Sequence, residues 1–306
     1  MNLFHKKDQY KGYNIYSMKK YVDKKRIIFT TIIVILIIIT LGFIIYYSVD
    51  TTIRLKNAKR FEQKLIEYES SQEELQKQEK ERQAKIPKLT DEGKQNIKGI
   101  YKSETKRVFL TFDDGPSVNT ADVLDILKSN DIKATFFVLG TQVEKMPEMV
   151  KRAYQEGHYI ANHGYSHQYS QIYSSPETVL QEFNQCNSAV AKAIDVPEYN
   201  SHLFRFPGGS VGGKYANLKA EAVTLLEQNN IMHVDWNALT GDAEKSSPDE
   251  EYLMNNLQKT TQNKNSIVIL MHDAQAKRVT VDFLPKLIEF FQQQGYQFEN
   301  FYSIIK

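Results

Sequence analysis

Arg107-Val108-Phe109-Leu110-Thr111-Phe112-Asp113-Asp114-Gly115-Pro116 is an apolar, β-branched and aromatic run that stops at two adjacent carboxylates and a turn dipeptide. A run of this kind reads as a buried strand. The arrangement recurs along the chain. His163-Gly164-Tyr165-Ser166-His167, Arg205-Phe206-Pro207-Gly208-Gly209, Asp235-Trp236-Asn237, Gly241-Asp242 and Leu270-Met271-His272 each stand at or near the end of another short apolar run. Strands are expected over 107–112, 133–139, 159–162, 202–206, 231–235, 266–271 and 297–302. Helices are expected near 120–129, 142–156, 176–194, 216–229, 248–262 and 279–294. Strands alternating with helices give a parallel sheet covered by helices. With carboxylates, imidazoles and a guanidinium at nearly every strand end, an α/β fold in the form of a distorted (β/α) barrel of about seven strands fits better than an open sheet.

Upstream of this region the chain changes character. Ile27 to Val49 runs 23 residues without a charged side chain. At about 1.5 Å per residue, that crosses roughly 30 Å of hydrocarbon. Its exit flank, Tyr46-Tyr47-Ser48, suits an aromatic belt and an uncleaved anchor rather than a cleavage site. Lys6, Lys7, Lys11, Lys19, Lys20, Lys24, Lys25 and Arg26 precede it against only Asp8 and Asp23. The positive-inside rule therefore keeps residues 1–26, with His5, in the cytoplasm as a basic tail and puts everything from residue 50 outside. Residues 53–86 hold no Gly or Pro and are dense in Lys, Glu and Gln. Their thin seam of Ala58, Phe61, Leu65, Tyr68 and Leu75 predicts a helix that lifts the downstream domain by roughly 50 Å. The seam is compatible with weak self-association, and a plain charged spacer is the other reading. The expected organisation is a tail over 1–26, a membrane helix over 27–49 in contact with lipid, a charged helical linker over 50–104 and one domain over 105–306.

A net charge of +2 argues against nucleic acid or another polyanion as partner. The single cysteine, Cys186, excludes an internal disulfide and reads as a small buried apolar residue. The outer domain must stand on its hydrophobic core, and about 200 residues suffice for one.

Asp113 and Asp114 leave a regular strand on opposite faces, so only the Gly115-Pro116 turn is expected to bring both to one site. That argues against a glycosidase pair, whose carboxyls stand about 5 to 10 Å apart across a sugar. His163 and His167, four apart, can share one ion in a helical turn or in a tight loop. Two imidazoles and one carboxylate leave positions open, as a catalytic site needs.

In these motifs and their order, residues 105–306 resemble the polysaccharide deacetylases of carbohydrate esterase family 4, the group with the NodB homology domain. The resemblance implies removal of acetyl from an N-acetylated sugar of a glycan with the help of one divalent metal, zinc first, with cobalt, manganese and iron also suited. It makes Asp114, His163 and His167 the metal ligands and Asp113 the general base. Arg205 is then the residue that holds Asp113 ionised, and His272 the general acid. Asp235 supports His272, with Asp242 the alternative. Pro207, Gly208 and Trp236 bind substrate. The chain departs from the family pattern in three places. Gly164 replaces a Ser or Thr, which removes a hydrogen bond bracing the histidine loop. Gly208 replaces an aromatic residue, so the groove is wider or filled from elsewhere. Met232 stands near where another Asp is usual. Outside a membrane, the expected substrate is cell-wall glycan, either peptidoglycan or a wall polysaccharide and its linkage unit, on a Gram-positive surface. An O-deacetylase of acetylated or xylan-like sugars and an inactive wall-binding protein are the alternatives.

Overall fold

The computed structural model describes residues 15–305, with side chains from Lys24 onward. His5, Lys6, Lys7, Asp8 and Lys11 lie outside the described residues, as do the side chains of Lys19, Lys20 and Asp23. Two compact units divide the chain, one up to Glu79 and one from Lys80.

The described part of the first unit, from Ile15, is helical. It belongs to α1 (Ile15–Ala84), which contains a segment long and apolar enough to cross a membrane, with a mean hydropathy of 3.1. Within it the Thr31 hydroxyl donates to the Ile27 carbonyl (2.8 Å) and Thr40 to Leu36 (3.0 Å). These hydroxyls are thus satisfied along the helix itself. Phe61, Leu65, Tyr68 and Leu75 further along are exposed.

The second unit continues with α2 (Asp91–Lys98), β1 (Arg107–Asp113), α3 (Thr120–Ser129), β2 (Thr135–Val138), α4 (Gly140–Lys145), α5 (Pro147–Gln155) and β3 (Tyr159–Asn162). Then come α6 (Tyr169–Ile172), α7 (Pro176–Ile194), β4 (Leu203–Phe204), α8 (Ala216–Gln228), β5 (Met232–His233) and β6 (Ala238–Leu239). It closes with α9 (Glu250–Thr261), β7 (Ser266–His272), α10 (Arg278–Gln293) and β8 (Gln297–Glu299). All strand pairs are parallel, in the order β5-β4-β3-β2-β1-β7-β6. β8 pairs with the start of β1, at Arg107 to Phe109, where β2 has not yet begun. The sheet therefore curls, but β5 and β6 form its two ends and the barrel stays open between them.

Period-two alternation within each strand decides what faces inward. Val108, Leu110 and Phe112 of β1 pack with Ile267, Ile269 and Met271 of β7 under the covering helices. Phe109 and Val268 point the other way, into an interior cluster with Phe137, Tyr159, Ala161 and Leu203. Two or four residues further along the same inward columns stand Asp113, His163, Arg205 and His272. Apolar residues thus fill the bottom of the half-barrel and polar ones its top, the end where barrel folds carry their chemistry.

The domain begins earlier than residue 105. Ile97 of α2 and Ile100 are buried with Phe301, Ile304 and Ile305 beneath the interior cluster, so 86–104 is partly the floor of the domain and not linker. The helix expected over 142–156 is two helices. Pro147 opens α5 and pushes Met146 out of helical geometry (φ −135°, ψ 56°). Cys186 is fully buried, and its thiol donates to the Val138 carbonyl.

Candidate active site

Asp113 ends β1 directly opposite His272 at the end of β7. In neighbouring parallel strands such positions send side chains to the same face, so an acid and an imidazole meet by register alone. Asp114 joins them because its own backbone turns left-handed (φ 72°), one residue before the expected Gly115-Pro116 turn. Its carboxylate thereby swings to the side that Asp113 occupies. His163 follows β3 and His167 lies in a loop with φ 57°, not in a helix. For residues other than Gly this conformation costs roughly 1–3 kcal/mol. Two of the three candidate ligands are thus held where the chain would not go unaided.

The ligating atoms of Asp114, His163 and His167 lie within 4.8 Å of one another. His167 Nε2 is 3.4 Å and His163 Nε2 3.6 Å from Asp114 Oδ1. That oxygen is buried and has no hydrogen-bond partner in the protein. His163 Nδ1 lies 2.8 Å from the Arg205 carbonyl. Since a carbonyl only accepts, Nδ1 carries the proton and Nε2 presents its lone pair. Burial also lowers the His163 pKa to about 3, keeping the ring neutral. Two imidazoles and a carboxylate oxygen left without a hydrogen-bond partner converge on one point, a donor set that fits a divalent cation such as zinc.

Gly164 (φ 89°) sits where a side chain would be strained, and its N–H donates to Asn162 Oδ1 at 2.9 Å. The brace expected to be lost is supplied from α7. Glu182, buried, accepts from Tyr165 N (2.6 Å), Ser166 N (2.7 Å) and Ser166 Oγ (2.7 Å). Nothing in the motif spacing marks this residue.

Arg205 is fully buried. Its Nη1 donates to Asp113 Oδ1 (2.8 Å) and Thr111 Oγ1 (2.7 Å), Nε to the Val234 carbonyl (3.2 Å) and Nη2 to the Asp235 carbonyl (3.0 Å). The guanidinium also lies 3.9 Å from the Phe137 ring centroid. Burial raises the Asp113 pKa, and the pull of Arg205 offsets that only in part. Asp113 is therefore more basic than a free carboxylate, contrary to the expectation from Arg205 alone.

The carboxylate on His272 is Asp242, not Asp235. Asp242 Oδ1 lies 2.9 Å from His272 Nδ1, and Oδ2 accepts from His272 N (2.8 Å) and Thr280 Oγ1 (2.7 Å). Asp235 instead accepts from Ser210 N (2.9 Å) and Ser210 Oγ (2.6 Å), because its strand ends on the far side of Trp236. Burial alone would lower the His272 pKa, but the hydrogen bond and charge of Asp242 raise it to about 9.

Asp113, Asp114, His163, His167, Asp242 and His272 line one cavity of about 280 Å³ together with Trp236, Gly208 and Tyr169, whereas Arg205 and Asp235 stand behind its wall. Pro207 does not line it. That residue is buried, and its carbonyl accepts from the Tyr173 hydroxyl at 2.6 Å. Lys219 Nζ holds the same loop by donating to the Gly209 carbonyl at 2.7 Å. At Gly208 (φ 73°) an added Cβ would lie 2.7 Å from Tyr169 Oη. Tyr169, from α6, supplies the aromatic wall there, beside the His167 ring. Asp273 underpins the turn after Asp113, with its N–H on the Asp113 carbonyl (2.7 Å) and its carboxylate on Thr120 Oγ1 (2.6 Å).

Residues 101–225 match the family described as polysaccharide deacetylase. YheN of Bacillus subtilis is 36% identical over 63% of this chain and 66% of its own length, so the chain spans just under two thirds of that relative. A peptidoglycan-N-acetylglucosamine deacetylase of Bacillus cereus is 33% identical over 65% of this chain and 71% of its length. Among solved structures, a Streptococcus mutans carbohydrate esterase family 4 esterase superposes with a TM-score of 0.62, at 30% identity over 68% of this chain and 90% of that one.

Proposed function

The chain belongs to the polysaccharide deacetylases, hydrolases of carbohydrate esterase family 4, and on that premise we propose that it removes the acetyl group from N-acetylglucosamine units of cell-wall peptidoglycan, with a divalent cation at Asp114, His163 and His167. The observation that carries the reading is the carboxylate and the imidazole that flank the ligand cluster in one cavity, Asp113 held by Arg205 and His272 held by Asp242. A carboxylate paired with a guanidinium and an imidazole kept protonated by its own carboxylate suit the base and acid roles of one reaction.

Zinc held there would supply Lewis acidity toward the amide carbonyl and the attacking water. The protein's own residues do the rest. Asp113 accepts the proton of that water, with Oδ1 pinned by Arg205 and Oδ2 facing the cavity. Gly208, exposed on the cavity wall, offers its N–H toward the oxygen that gains charge. His272, cationic at neutral pH, gives its proton to the departing amine. Trp236 and Tyr169 bound the sugar from two sides. Acetate and a free amine leave, and no acyl group is transferred to the protein. The apolar helix is read as a single span with residues 1–26 inside and the catalytic unit outside, where the wall lies.

The test is to incubate the full-length chain, in detergent with zinc, with purified peptidoglycan and to follow acetate release together with the mass of the digested sugars. Loss of acetyl from glucosamine is expected. Release from O-acetylated glycan alone would move the assignment to an esterase, and no release from either would refute it.

A further inference from the structure

Past the apolar span, α1 carries a stripe of exposed side chains. Phe61 is 70%, Leu65 46%, Tyr68 61% and Leu75 56% exposed. With Ala58 and Gln72 they follow one another at steps of three and four residues. That is a heptad frame, with Ala58, Leu65 and Gln72 at its a positions and Phe61, Tyr68 and Leu75 at d, a seam along one side of the helix. Of the apolar residues between 56 and 79, only Ile66 falls outside it. A solvated spacer has no cause to gather its apolar residues in one line, whereas a helix that meets another does.

The flanks of the seam carry a second signal. Between two parallel helices, a g residue of one lies beside the e residue five positions on in the other. This frame sets Asn57 beside Glu62, Lys64 beside Glu69 and Ser71 beside Gln76, so two-fold symmetry gives two opposite-charge pairs and no like-charge pair. Antiparallel helices set e against e, which would bring Glu62 to Glu69. Neither Lys64 nor Glu69 has a partner in its own chain among the described residues. On the outer face the helix satisfies itself, with Gln63 Nε2 donating to Glu67 Oε1 at 3.2 Å.

We propose that this seam docks a second copy of the same chain, as a parallel, in-register pair of helices over 58–75. The proposal rests on the single-span reading of α1 and is independent of the deacetylase chemistry. Two chains anchored in one membrane, each with residues 1–26 on the same side, leave it with their helices parallel. Gln72, polar at an a position, fixes the register at a cost in affinity. About two and a half heptads fall short of the about three to four that mark a self-sufficient coiled coil. The shared membrane makes up the difference, because it acts as a tether that raises the effective concentration of one helix beside the other.

Cys186 is the only cysteine and is fully buried, so a cysteine added to the helix is the one accessible thiol. Full-length chains with Gln72→Cys, on the seam, or Ser70→Cys, on the outer face, are oxidised in isolated membranes and run on non-reducing gels. The expected result is a disulfide-linked dimer from Gln72→Cys and little from Ser70→Cys. In the Gln72→Cys chain, Lys64→Glu turns both pairs repulsive and should cut the dimer yield about three- to tenfold. Adding Glu69→Lys exchanges the charges across the pair and should restore it. No dimer from either cysteine, or equal yields from both, would overturn the proposal. So would a Lys64→Glu chain that links as well as its parent, or a double variant that stays low. Recovery of the chain in the soluble fraction would overturn it as well, by removing the shared membrane.

Discussion

Replacing Asp242 by Asn tests whether His272 acts as the acid. His272 is mostly buried, and burial acts to lower its pKa from 6.5, yet Asp242 carries it to about 9. That difference amounts to about 3 kcal/mol in favour of the protonated ring. Without the carboxylate, burial governs and the pKa falls to 6.5 or lower. If turnover needs the imidazolium, the protonated fraction at pH 8 drops from about nine tenths to a few hundredths, an about thirtyfold loss of kcat/KM, whereas at pH 6 the two proteins differ little. The sign for stability comes from the same shift. A folded-state pKa above the unfolded one adds stability that is fully present below pH 6.5 and is lost as pH rises through about 9. Urea unfolding should therefore show the variant less stable at pH 7, with the gap closing by pH 10. The assay is the pH profile of kcat/KM on a soluble N-acetylated oligosaccharide, with the His272 ring titrated in parallel by NMR. An alkaline limb that stays in place in Asp242→Asn would refute the acid role of His272.

Replacing His163 or His167 by Ala should lower bound zinc, measured by elemental analysis after dialysis, by more than the about 10- to 100-fold typical of an outer supporting residue, while circular dichroism stays unchanged. Full zinc retention by both would refute the ligand set. Asp113→Asn should keep the metal and lose about 10²- to 10⁴-fold in turnover, read by acetate release. Glu182→Gln keeps the shape but weakens three bonds to the histidine loop, so zinc affinity should fall and hydrogen exchange at the Tyr165 and Ser166 amides should quicken. Unchanged exchange would show that the loop needs no brace.

What could be read from the residues alone was whatever has a period or a fixed local spacing. β1 and β7 announce themselves because a seven-residue strand buried on both faces leaves a continuous apolar signature, and Asp113, Asp114, His163, His167 and His272 sit at the ends of such runs. β6 is two residues long and has no period to detect. α2 hides in a charge-rich stretch where only Ile97 and Ile100 tell of a core below. The partner of His272 was ambiguous between Asp235 and Asp242 because both come after short strands, and only the side of Trp236 on which each lies decides between them. Glu182 and Tyr169 were invisible for a related reason. Their partners, the amides of Tyr165 and Ser166 and the bare Gly208, are defined by loop shape, which no side-chain pattern encodes.

Arg205 serves two masters with chemically separate parts of itself. Its side chain neutralises Asp113, and its carbonyl accepts the hydrogen bond of His163 Nδ1–H. Substitution can strip away the first but not the second, since every amino acid brings a carbonyl. Loss of the guanidinium would leave Asp113 buried without a counter-charge and costs roughly 3–5 kcal/mol or a proton, yet the cradle for the cation would keep its tautomer. On the deacetylase reading, a single change at this position would therefore silence turnover while leaving the three candidate ligands in place.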